Sequence, residues 1–226
     1  MSQQFNLKTV FTNEQLNILY VTGTNVIIGK PSDGRPTNVA WQVFKPLQTN
    51  LFSWKEEYGI YASAADIRNG AALSQLSNTP IGSEMGKQYV LQDSGRIVGP
   101  MGGGYPNAFL LLNQFGMKPY MTVGLHQNAT VNGIERIGNA VSATPALMQS
   151  TAVMSPNTTL HIWLQSQVVS NSVVTTITSP ITELKFGGNV TEISITYDSA
   201  TGKFVPVKSG ALKSASEPLN YIEPSL

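Results

Sequence analysis

Apolar and polar residues alternate with a period of two at several places along the chain. Val39, Trp41 and Val43 stand against Ala40, Gln42 and Phe44. Leu160, Ile162 and Leu164 stand against His161, Trp163 and Gln165, and Ile193, Ile195 and Tyr197 against Glu192, Ser194 and Thr196. Successive side chains of a strand leave opposite faces, so this pattern predicts strands with one buried and one wetter face. Met121, Val123 and Leu125 set against Thr122, Gly124 and His126 read the same way. Residues 108–112 (Ala-Phe-Leu-Leu-Leu) do not alternate, which predicts a strand covered on both sides. Val, Ile and Thr are abundant, and branching at Cβ fits a pleated surface better than a helix. Thirteen prolines are spread through the chain and no stretch sustains a 3.6-residue apolar period, so long helices are not expected. One short helical turn is predicted at residues 64–68, capped by Ser63 and stopped by Gly70. Phe186-Gly187-Gly188-Asn189 and Ser32-Asp33-Gly34-Arg35-Pro36 are turn signals. Many short strands with closely spaced turns predict an all-β fold of β-sandwich or jelly-roll type.

Two stretches echo each other. Asp93-Ser94-Gly95-Arg96-Ile97-Val98-Gly99-Pro100 and Asp198-Ser199-Ala200-Thr201-Gly202-Lys203-Phe204-Val205-Pro206 both read as a turn, a basic residue, two apolar residues and a proline. Each follows an alternating run that includes a tyrosine, Tyr89 or Tyr197. The echo predicts two similar β modules in tandem, residues 8–115 and 120–207, followed by a Ser- and Pro-containing tail at 208–226 in which Tyr221 and Ile222 could anchor.

Composition narrows the function classes. Charged residues are only 12% of the chain, against about 25% in ordinary globular proteins. The net charge is +1, and no basic run stands out, which argues against a nucleic-acid partner. The polar surface must come from Ser, Thr, Asn and Gln, which suit neutral ligands such as sugars or contact between copies. Cysteine is absent, which excludes disulfides, thiol catalysis, cysteine-ligated zinc and iron–sulfur clusters. The N-terminus lacks the basic-then-apolar pattern of a secretory signal, so a soluble, cytoplasmic protein is expected. The Asn-x-Thr sequons at Asn128, Asn157 and Asn189 are then not expected to be glycosylated.

No motif assembles a catalytic site. His126 and His161 lack a Gly-x-Ser-x-Gly elbow, and adjacent Glu56 and Glu57 point to opposite faces of a strand. Asp33, Asp66, Asp93 and Asp198 form no calcium loop, and no metal or cofactor is expected. The glycine-rich run 99–107 lacks the Lys-Ser/Thr ending of a phosphate loop and reads as an inter-strand loop, where Tyr105 and Asn107 offer a ring and an amide. Trp54, Glu56 and Tyr58 would share one strand face, and Trp163 lies beside His161 and Gln165. A ring covers the C–H face of a sugar while a neighbouring carboxylate or amide takes its hydroxyls. The expectation is therefore a non-catalytic, lectin-like protein that recognises neutral carbohydrate, with homo-oligomers expected. Two alternatives stand beside it. Low charge also suits a self-assembling or storage (inclusion-type) protein. The uncharged stretch 165–179, rich in Ser, Thr and Val, suits a membrane-acting β-type toxin, although its Val doublets favour an ordinary hairpin around Ser170-Asn171-Ser172.

Overall fold

A computed structural model describes residues 2–32 and 36–207. The tail 208–226 and most of the turn expected at 32–36 lie outside the described residues. In chain order the elements are β1 (Gln4–Val10), α1 (Asn13–Val21), β2 (Thr24–Gly29), β3 (Val39–Ala40), β4 (Gln42–Phe44), β5 (Thr49–Lys55), β6 (Gly59–Ser63) and β7 (Gln75–Asn78). Then follow β8 (Gln88–Leu91), β9 (Ile97–Met101), β10 (Phe109–Asn113), β11 (Tyr120–Val131), β12 (Ile134–Ala140) and β13 (Thr144–Leu147). The last are β14 (Thr151–Met154), β15 (Thr159–Ser166), β16 (Ser172–Val173), β17 (Thr182–Lys185), β18 (Glu192–Asp198) and β19 (Lys203–Pro206).

The described chain is nearly all β, an all-β sandwich as its alternation predicts. Nine strands form one sheet in the order β19-β18-β1-β5-β11-β6-β7, with β12 and β13 also paired to the long β11. Two four-stranded sheets, β14-β10-β8-β9 and β17-β15-β2-β4, and the pair β16-β3 complete the fold. One large core joins Phe5, Leu7, Phe52 and Ile60 of the nine-stranded sheet to Val26 and Leu160 of one smaller sheet and Leu91 and Phe109 of the other. Ring contacts close the seams: Trp54 meets Phe186 at 4.9 Å between centroids, and Trp41 meets Phe52 at 5.2 Å.

The two halves do not separate into modules in space. Strands from 8–115 pair with strands from 120–207 in all four sheets, including the parallel pairing of β1 with β18 and the antiparallel pairing of β2 with β15. The boundary expected near residues 116–120 is only the link between β10 and β11. What survives of the echo is local. Both stretches are antiparallel hairpins, β8–β9 and β18–β19, with Gly95 (φ 80°) and Gly202 (φ 69°) in the left-handed region just before the basic residue. Their aspartates differ in use. Asp198 accepts from Ala200 N and Thr201 Oγ1 within its own turn, whereas Asp93 accepts from Gly116 N across the fold.

Other expectations change in the same way. Residues 64–68 form no helix, although Ser63 Oγ accepts from Ala65 N as a cap would. The helix is α1, opened by a capping box in which Thr12 Oγ1 accepts from Gln15 N and Gln15 Oε1 accepts from Thr12 N. The Gly-Gly turn is centred one residue later, on Gly188-Asn189, closed by two hydrogen bonds between Gly187 and Val190. Residues 170–171 do form a turn, but the strand after it, β16, pairs with β3 rather than β15. Residues 108–111 are buried without alternation, as expected of a strand covered on both sides.

Candidate functional site

Trp54, Glu56 and Tyr58 do come together, but inside the protein. β5 directs Trp54 to the buried face, and the chain bends at its end, where Glu57 N donates to Lys55 O at 2.8 Å. The bend turns Glu56 back under Trp54. Glu56 Oε1 accepts from Trp54 Nε1 at 2.7 Å and from Lys30 Nζ at 2.9 Å, while Oε2 accepts from Tyr58 OH at 2.5 Å. Lys30 also donates to Tyr58 OH at 2.8 Å. Its ammonium lies 5.0 to 5.5 Å from the ring centroids of Trp41, Trp54 and Tyr58, within cation–π range. Lys30 is 2% exposed, and burial pulls its amine down from 10.5 to about 8 against the opposing pull of Glu56. Burial, and then the Glu56 carboxylate, push Tyr58 well above the ordinary phenol value. This is an enclosed ion pair in an aromatic box. Trp54 shows too little surface to cover a sugar, so here it serves packing. Sequence reasoning passed over Lys30, whose signal was its place directly after the apolar run Val26-Ile27-Ile28-Gly29.

His161, Trp163 and Gln165 share one face of β15, as the alternation predicted, but that face is not wet. Trp163 is fully buried against Ile27, Ala40 and Val174, because the chain returns over it after β16. Its Nε1 donates to Gln165 Oε1 at 3.0 Å, and Gln165 Nε2 donates to Thr176 O at 3.3 Å. His161 Nε2 lies 3.7 Å from Glu183 Oε2, and burial holds its pKa below the usual range despite that carboxylate. Tyr105 and Asn107 are exposed on the loop between β9 and β10, with Asn107 at φ 61°.

The open site with the most definite chemistry is built around His126. On β11, Met121, Val123 and Leu125 enter the main core, while His126 points to the opposite face. Its strand partner is Gly59, where a Cβ would sit 2.1 Å from His126 Nε2, so only glycine leaves the ring its place. Nε2 lies 2.9 Å from the carbonyl oxygen of Thr79. A carbonyl only accepts, so Nε2 carries the proton and Nδ1 is a bare acceptor. Nδ1 is buried and has no hydrogen-bond partner. Burial lowers the pKa of the ring, which keeps it neutral.

The ring lies in the wall of a cleft of about 490 Å³, within the range of small-molecule sites. Its polar lining is Gln75, Asn78, Asn139 and Asn171 with Ser74, its apolar lining includes Pro80, Ile81 and Ile137, and no Asp, Glu, Lys or Arg contributes. The amides are held in place: Asn78 Nδ2 donates to Gln75 Oε1, Gln75 Nε2 to Gly138 O, and Asn171 Nδ2 to Leu73 O. Sequence reasoning placed His126 on the wetter face of its strand but did not find this cleft, whose lining comes from β7 and its flanking residues, β11, β12 and Asn171 just before β16. Comparison with protein-family models, curated proteins and solved structures found no match. No helix among the described residues is long and apolar enough to cross a membrane.

Proposed function

We propose that this is a non-catalytic binding protein of lectin type that holds a neutral carbohydrate in the His126 cleft. The observation that carries the reading is the cleft itself, with His126 in its wall, lined by the amides of Gln75, Asn78, Asn139 and Asn171 and free of charged side chains. The surrounding amides present both donors and acceptors, which suits vicinal hydroxyls. Pro80, Ile81 and Ile137 supply the apolar contact that the buried tryptophans do not. A cytoplasmic location, resting on the absence of cysteine, belongs to the same proposal.

A glycan array tests it. Retention on a neutral glycan by the native protein, lost in a folded His126→Phe variant, supports the reading. No retention on any sugar removes it. Self-association is the second reading, favoured by Ile134 (57% exposed) and Ile137 (72% exposed) on β12. Light scattering against concentration decides it, and a monomer at high concentration would end it.

A further inference from the structure

The His126 cleft does not end at its own rim. Asn78, Thr79, Pro80 and Ile81 line it on one side and line a second depression of about 360 Å³ on the other. That second depression continues past Ser83 and Glu84 to Tyr89, Gly99 and Pro100. The segment between the two is held rigidly. Thr79 N donates to Ile60 O at 2.9 Å, Gly82 N and Ser83 N both donate to Tyr58 O, and Ser83 Oγ donates to Thr79 Oγ1 at 2.7 Å. Pro80 and half-buried Ile81 thus form a fixed apolar ridge with a polar hollow on each side. A third depression, of about 240 Å³, also reaches Ile81, but it carries three charged residues, Lys55, Glu57 and Glu135, where the second carries only Glu84, so the second is the better match to an uncharged ligand.

We infer that the ligand is a chain of neutral sugar units that crosses the Pro80–Ile81 ridge, with one unit in the His126 cleft and the next in the hollow beside Tyr89; this rests on the reading of the cleft as a neutral-carbohydrate site. Polar groups on each side of the ridge bind hydroxyls, and the ridge packs against the C–H surface near the linkage. Because the ridge is already ordered, the second unit adds contacts without the cost of ordering a loop.

The test is titration calorimetry of the full chain with the malto-, cello- and chito-oligosaccharide series, from one unit to four. The expected result is at least a tenfold gain in affinity between one unit and three in one of these series. Glu84→Trp, which places a bulky ring in the second hollow at a residue outside the lining of the His126 cleft, is expected to abolish that gain and to leave the affinity for one unit unchanged. As a measurement that needs no variant, the three-unit ligand is expected to slow amide hydrogen exchange at residues 82–89 and 97–101, and the one-unit ligand is not. Equal affinity for one and three units, with no protection beyond the ridge, overturns the chain proposal and leaves the single-unit site standing. If no member of any series binds, both the chain and the neutral-sugar reading fall.

Discussion

The enclosed Lys30–Glu56 pair makes stability depend on pH in an unusual direction. Lys30 titrates at about 8 in the folded protein and at its ordinary 10.5 once unfolded. Between those values the unfolded chain binds more protons than the folded one, so this residue makes the protein more stable as pH rises. At about 1.4 kcal/mol per pKa unit, Lys30 contributes a gain on the order of 2–3 kcal/mol between pH 7 and pH 10. Lys30→Met keeps most of the buried volume and removes the titration, so the stability difference between native protein and variant isolates the effect. Urea unfolding of both at pH 7, 8, 9 and 10 is the assay. The difference should move in favour of the native protein by about 2–3 kcal/mol across the series. The window stops at pH 10 because Tyr58 and Tyr61, raised by burial, keep their protons longer in the folded state and oppose the trend above that point. Glu56→Gln removes the carboxylate that favours the charged amine, so the rise should begin below pH 8. A difference that stays flat from pH 7 to 10 refutes the buried, depressed lysine.

Three further outcomes follow from other parts of the fold. Thr12→Ala removes one half of the capping box of α1 and should cost about 1 kcal/mol in urea unfolding; no change would mean the box does not set the helix start. Gly124→Ala places a Cβ 1.9 Å from the carbonyl oxygen of Ser142, a backbone atom in the core, and should destabilise by about 3 kcal/mol, read as a drop in melting temperature; a native-like melt would sink that packing claim. Trp41, Trp54 and Trp163 are all buried, so tryptophan emission should be blue-shifted and only weakly quenched by iodide; quenching close to that of free tryptophan would contradict their placement.

Strand content and inward faces were legible because they depend on a period written in neighbouring residues. Ile195 and the Met121–Val123–Leu125 face are buried where alternation put them. The helix was missed because its only local cue was the Thr12-x-x-Gln15 box. Ile18 and Val21 are exposed while Leu16 and Leu19 are buried, so no clean apolar stripe marks it. The helical turn expected at 64–68 does not form: Ser63 Oγ accepts from Ala65 N as a cap would, and Asp66 O accepts from Arg68 N, but no helical run follows.

The sequence by itself determined that this chain builds ladders, where many of its turns fall, and which side of several strands faces a core. It also determined that whatever the protein contacts must be met largely by neutral amides and hydroxyls, because charge and thiols are scarce or absent. The tertiary structure alone decided that the two halves interleave, since pairing of β1 with β18 and β2 with β15 joins residues far apart in the chain. It also decided that the faces of Trp54 and Trp163 are enclosed and that His126 opens on a cleft. Alternation reports that a strand has two faces, but which later segment returns to cover the second face is a long-range packing choice that no local period encodes.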